Sequence, residues 1–185
     1  MNWSAELDIV VQWNNNASEP AAKGRKGSEM SQHDENGSAA RGGTAGYGIA
    51  VTLSSLHEGE RTVLQVPGQA ITRGSQLYIR YEEPGQGPEQ GAPSIRTTVK
   101  IAAEEIKIIR HGGVESEQSF RSGRRLPGFY RSPYTQFNLS TDTRELDISR
   151  SGRSVIVSLT YDLYVYDELS GRFALSLHIQ EEPKS

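Results

Sequence analysis

Residues 154–167, SVIVSLTYDLYVYD, alternate almost without a break. Val155, Val157, Leu159, Tyr161, Leu163 and Val165 fall on one side, and Ile156, Ser158, Thr160, Asp162, Tyr164 and Tyr166 on the other. A period of two sustained over this length predicts a β-strand with one buried face and excludes an amphipathic helix, whose apolar residues would recur every three or four positions. After a turn read at 168–171, RFALSLHIQEE returns Phe173, Leu175, Leu177 and Ile179 to the same interior. Strands this long are a liability at the margin of an open sheet, because an unpaired ladder recruits other chains. Closing the sheet on itself removes the margin, so an up-and-down barrel is favoured.

The same grammar runs upstream. In GIAVTLSSL, Ile49, Val51 and Leu53 alternate with small residues, HEGE turns the chain through Gly59, and RTVLQV returns until Pro67-Gly68 interrupts it. A turn at Arg73-Gly74-Ser75 leads to a strand with Leu77, Ile79 and Tyr81 on one face and Tyr78 and Arg80 on the other. PGQGPEQGAP at 84–93 sustains neither ladder nor helix and reads as a loop. Its glycines lack the lysine and following helix that a phosphate loop needs. Next come SIRTTVKIA, with Ile95, Thr97, Val99 and Ile101 in phase, and EIKIIRHGG, with Ile106, Ile108 and Arg110 in phase. VESEQSF follows the turn at His111-Gly112-Gly113, RSGRRLPGFYRSP reads as a basic loop, and TQFNLST and ELDIS resume the alternation up to the turn at Ser151-Gly152. Roughly eight or more strands in sequential hairpins predict an all-β, antiparallel domain over 47–182. The inward set is Leu77, Ile79, Tyr81, Val99, Ile101, Ile108, Val155, Val157, Tyr161, Leu163, Phe173, Leu175 and Leu177. The 19 glycines against 2 methionines suit such a turn-rich chain.

Residues 5–13, AELDIVVQW, supply one further short strand, whereas 14–46 hold a single large apolar residue, Met30, and read as a flexible, disordered insert. The start of the chain has neither the positive leader nor the apolar run of a signal peptide, and no stretch approaches the roughly 18 apolar residues of a membrane span. A soluble, cytoplasmic protein is expected, with no membrane partner.

Several chemistries find no support. The absence of cysteine removes disulfides, thiolate catalysis and sulfur-ligated zinc. His33, His57, His111 and His178 are not spaced as metal ligands, no GxSxG elbow occurs, and Asp162 and Asp167, flanking Tyr164, read as solvated carboxylates on an outer strand face. A formal charge of −3 argues against general nucleic-acid affinity. No enzyme activity and no cofactor are expected.

The segments YIRYEE (78–83), TTVKI (97–101), IIRHGGVESEQSF (108–120), FYRSPYTQFNLSTDTRELDI (129–148) and LTYDLY (159–164) resemble, in order and spacing, the YwiB family of small bacterial β-barrel proteins. The resemblance covers about residues 48–182. It implies a closed, calycin-like barrel related to the lipocalin type, and it implies no reaction. The long insert at 14–46, the expanded loop at 84–93 and Tyr134-Thr135 depart from the family pattern.

Two binding roles remain open on the residues. In the first, the barrel holds a small apolar or amphipathic molecule against Tyr81, Thr98, Arg110, Phe120 and Tyr161. A charge buried there needs a partner, so Arg110 with Glu82 or Glu83 is either a structural clamp or an anchor for a carboxylate. In the second, the barrel is filled and its basic aromatic loop, with Arg121, Arg124, Arg125, Tyr130 and Arg131 beside Phe129 and Tyr134, contacts a protein or RNA. The plain alternative is a solvated loop whose arginines pair with Glu115 and Glu117. Oligomeric state is not legible.

Overall fold

The computed structural model describes residues 46–83 and 94–183. The strand read at 5–13, the insert up to residue 45 and the loop at 84–93 lie outside the described residues. The chain makes β1 (Tyr47–His57), β2 (Glu60–Arg73), β3 (Gln76–Glu83), β4 (Ile95–Ile101) and β5 (Ile106–Gly112). It continues as β6 (Glu115–Phe120), β7 (Arg124–Arg131), β8 (Gln136–Ser151), β9 (Ser154–Val165) and β10 (Glu168–Glu181). Each strand pairs antiparallel with its sequence neighbours, and β10 returns to β1, with Ile49 opposite Glu181 and His57 opposite Phe173. The result is a closed ten-stranded up-and-down barrel.

The expected alternation sets the faces. Every member of the inward set is buried except Val155, which is half-buried against the core. Ile49, Val51, Ala70, Ile95, Ile106, Phe120, Tyr130, Phe137, Leu139, Leu159 and Ile179 complete the lining. At the centre Phe120, Tyr161, Phe173 and His57 form a ladder of rings, with successive centroids 4.9, 5.4 and 4.2 Å apart. Such ring contacts add to the burial itself.

Three local readings change, each for a physical reason. RSGRRLPGFYRSP is not a loop, because β7 occupies its centre. Pro127 is tolerated there because β6 and β7 pair only through Glu115–Glu117 and Phe129–Arg131, so below Phe129 the ring replaces an N–H that has no ladder to join. Pro67-Gly68 does not interrupt β2 either, since pairing with β3 stops at Gly68 and Tyr81. The last hairpin turns at Tyr166-Asp167, not at 168–171. Both residues adopt positive φ, 48° and 67°, and the Tyr166 hydroxyl secures the turn by donating to the Gln136 carbonyl at 3.2 Å.

Two irregularities matter for the surface. The β8–β9 register shifts between Thr143 and Glu145, and the β9–β10 register between Leu169 and Gly171. Bulges of this kind re-aim the side chains around them.

Candidate functional site

One row of inward residues runs across β3 to β8 through directly paired positions: Tyr81, Thr97, Arg110, Ser116, Tyr130 and Phe137. It carries the polar chemistry of the interior. Arg110 is only 3% exposed and Glu83 only 7%. Arg110 Nε donates to Glu83 Oε1 at 3.0 Å, and Thr97 Oγ1 donates to the same oxygen at 2.6 Å. A carboxylate and a guanidinium taken out of water are tolerable only when they are paired and hydrogen-bonded in this way. Burial pushes the Tyr81 hydroxyl well above the ordinary tyrosine range, the Glu83 charge adds to that, and Arg110 opposes it. Tyr130 is raised too, again by burial, with a hydrogen bond to Ser132 and the Arg110 charge pulling it back.

Of the residues read as lining an interior site, Tyr81, Arg110, Phe120 and Tyr161 do point inward. Thr98 does not: it sits between Thr97 and Val99 on the outer face of β4, and Thr97 is the buried threonine. The period of two decides this, and Thr97 is in phase with Ile95 and Val99. Phe120 and Tyr161 pack edge to face against each other, as core. Deeper in the interior, Gln118 Oε1 and Thr143 Oγ1 are buried without a hydrogen-bond partner. Gln118 lies opposite Ile108, and Thr143 lies opposite Tyr161.

The basic stretch is mostly neutralised. Arg121 pairs with Glu104 at 3.1 Å, Arg131 with Glu115 at 3.2 Å, and Arg125 with Asp167 at 2.7 Å while lying 3.9 Å over the Tyr164 ring. Arg124 opens β7 on the exposed surface. Glu117 takes Lys107, at 2.6 Å, instead of an arginine. Tyr130 leaves the partner-facing set, because the strand alternation turns it inward, where it stacks on Phe137 at 5.1 Å. The large hydrophobic residues exposed at this end are Phe129, Tyr134 (94% exposed), Tyr166 and Leu169.

A cluster that the alternation alone did not reveal surrounds Asp162. The residue faces outward, as expected, yet it is buried. Arg144 Nη2 donates to Oδ2 at 2.6 Å and Arg172 Nε lies 3.3 Å from Oδ1. Both arginines adjoin the register shifts in β8 and β10, and the hydrogen bond that Arg144 donates to Asp162 raises it above its ordinary range. Nothing in the sequence signals this, because two bulges on separate strands bring the three residues together. Among the described residues no group of His, Asp and Glu is placed to hold a metal ion.

A family model described as "Domain of unknown function (DUF1934)" matches residues 49–177. The chain is 24% identical over 113 residues to the "Uncharacterized beta-barrel protein YwiB" of Bacillus subtilis (strain 168), a match that covers 60% of this chain and 76% of that protein. Among solved structures it is similar to the crystal structure of the ywiB protein from Bacillus subtilis, with a TM-score of 0.62 and 18% identity. That likeness covers 76% of this chain and 96% of the other.

Proposed function

The chain belongs to the family described as a domain of unknown function (DUF1934), and on that footing we propose that it is a non-enzymatic interaction module, a filled barrel that works through its outer surface. The observation that carries this reading is the closed interior. The inward residues that would line a pocket, Tyr81, Ile108, Arg110, Gln118, Phe120 and Tyr161, retain almost no water-accessible area. A cavity roomy enough for a ligand would leave accessible area on the side chains around it, whether it held water or stayed dry. The Arg110 and Glu83 pair is then a clamp between β3 and β5. The partner surface is the rim of Phe129, Tyr134, Tyr166 and Leu169 with Arg131, an aromatic and arginine composition that suits a protein partner. Nucleic acid fits less well, because Glu104, Glu115 and Asp167 already take the guanidinium charges. A calycin-type, cytoplasmic barrel is the finer description we give it, in keeping with the strand order and the cysteine-free chain.

Placing a photo-crosslinking amino acid at Tyr134, and separately at Arg80 on the outer face of β3, tests the rim in cells. A discrete adduct from position 134 and none from position 80 supports the reading, and no adduct from either overturns it.

A second reading has its own observation. Buried oxygens without partners, Gln118 Oε1 and Thr143 Oγ1, are what a small amphipathic molecule with hydrogen-bond donors would satisfy. Native mass spectrometry of protein purified from cells separates the two. A co-purifying small molecule favours the interior site, and a clean apo mass favours the filled barrel.

A further inference from the structure

The outer face of β1, β10 and β9 has an unusual make-up. Over the four rows from Leu56 to Ala50 its twelve outward residues are Ala50, Thr52, Ser54 and Leu56, then Ala174, Ser176, His178 and Gln180, then Ser154, Ile156, Ser158 and Thr160. None is a lysine, arginine or carboxylate. On these strands the nearest charges are Arg172 and Asp162, one row beyond Ala174 and Thr160, and the charges on the flanking strands are ordered by register. The row Arg61, Leu56, Ala174, Thr160, Glu145 crosses five strands, from a cation on β2 to an anion on β8. The next row, Val63, Ser54, Ser176, Ser158, Asp147, also ends on an anion.

Two further observations bear on the occupant of this face. The outside of a barrel is ordinarily convex, yet here the small central residues sink between long marginal ones and leave a hollow of about 320 Å³, whose walls include Arg61, Glu145 and Asp147. Some surface charges are paired within the chain and others, these marginal ones among them, are not. Arg121, Arg125, Arg131, Arg144 and Arg172 are all ion-paired within the chain, whereas Arg61, Glu145 and Asp147 have no ion pair among the described residues.

We propose that this face pairs with the same face of a second copy of the chain, about a two-fold axis running along β10. Such an axis exchanges left and right but keeps height, so β2 of one copy lies over β8 of the other. Arg61 then meets Glu145 twice, once on each side, which is the self-complementarity that an isologous interface requires. Leu56 (37% exposed), on the wall of the hollow, then lies over Thr160 of the second copy, and Ile156 (43% exposed), one row outside the hollow, lies over its Thr52. Packed sheets cross at roughly 30°, which displaces the marginal pairs by about one strand spacing, a distance that an arginine side chain spans. An unrelated partner would have no reason to match the opposite signs at the two ends of one row.

The area sets the strength. Five strands by four rows cover roughly 20 Å by 20 Å, about 400 Å² a side, which is the size of a weak, transient contact and not of a stable interface. A reversible dimer with a dissociation constant on the order of 10–100 µM is expected.

Sedimentation velocity on the full chain from about 1 to 500 µM, at low ionic strength, tests this. Arg61→Glu and Glu145→Arg should each weaken the dimer at least tenfold when alone, and should restore it when the two variant chains are mixed or the changes are combined in one chain. Ser176→Arg, at the axis, should abolish it. Far-UV circular dichroism verifies that each variant is folded. A wild-type chain that stays monomeric throughout overturns the proposal, as does a dimer indifferent to Ser176→Arg or a charge swap that restores nothing. A monomeric chain that crosslinks through Thr52 to another protein in cells assigns the face to a different partner and overturns it equally.

Discussion

Replacing Glu83 by glutamine keeps the shape of the side chain and removes its charge. In the folded barrel this leaves Arg110, 3% exposed, facing a neutral amide where a carboxylate oxygen had stood 3.0 Å from its Nε. Removing one partner of a buried pair costs roughly 3–5 kcal/mol, most of it the penalty of a buried charge that has lost its closest counter-ion. For a domain of this size that corresponds to a fall in Tm on the order of 10–15 °C. With a urea m-value of about 2 kcal/mol/M, the midpoint should drop by about 2 M. Thermal and urea unfolding followed by circular dichroism measures both. The companion variant, Glu83→Leu with Arg110→Met, removes both charges and should recover most of the loss, since apolar groups of similar volume replace a buried pair at little cost. A Glu83→Gln protein within about 1 kcal/mol of wild type would refute the argument, because Arg110 would then not depend on that carboxylate. A double variant no better than the single one would refute it differently, by tracing the loss to packing.

Leu163→Asp should prevent folding, because the side chain is fully buried between β8 and β10, and soluble expression reads this directly. Asp162→Asn, one residue away, should cost about 1–2 kcal/mol in urea unfolding, more than a surface carboxylate would, because it weakens the hold on Arg144 and Arg172. Gly128→Ala should cost about 2–3 kcal/mol, since a Cβ there would lie 2.2 Å from the Glu117 carbonyl oxygen, whereas Gly48→Ala meets only the movable Glu182 carboxylate and should leave the melting point almost unchanged. Because the folded barrel holds Tyr81 above its unfolded value of about 10, the unfolded chain loses that proton first. The stability it contributes is complete below about pH 10 and is lost as the pH rises beyond it, and Tyr81→Phe should flatten the alkaline limb of a stability-against-pH curve.

The alternation in 154–167 was sufficient to place Val157, Leu159, Tyr161 and Leu163 in the core, because a period of two is a local property and burial follows from it directly. β7 was hidden for a reason that is not local. Pro127 and Gly128 read as turn residues, and only the early parting of β6 from β7 makes a strand there tolerable. The Tyr166-Asp167 turn was missed because non-glycine residues hold the positive φ that glycine usually announces. Thr97 was recoverable, since the same phase that selected Ile95 and Val99 includes it. The enclosure of Asp162 was not, because the register shifts in β8 and β10 that lay Arg144 and Arg172 over it are set by the pairing of three strands.

The seam between β1 and β10 joins residues that are more than a hundred positions apart, and the Glu182 amide bonds to the Gly48 carbonyl at 3.0 Å. Synthesis proceeds from one end, so until β10 leaves the ribosome both β1 and β9 present bare ladders to whatever is nearby. The fourteen-residue β10 therefore acts as a zip fastener, and trimming it should leave a product that aggregates. The same adjacency makes the barrel suitable for circular permutation, with Gly48 and Glu182 joined by a short linker and new termini cut at the exposed Gly152 turn.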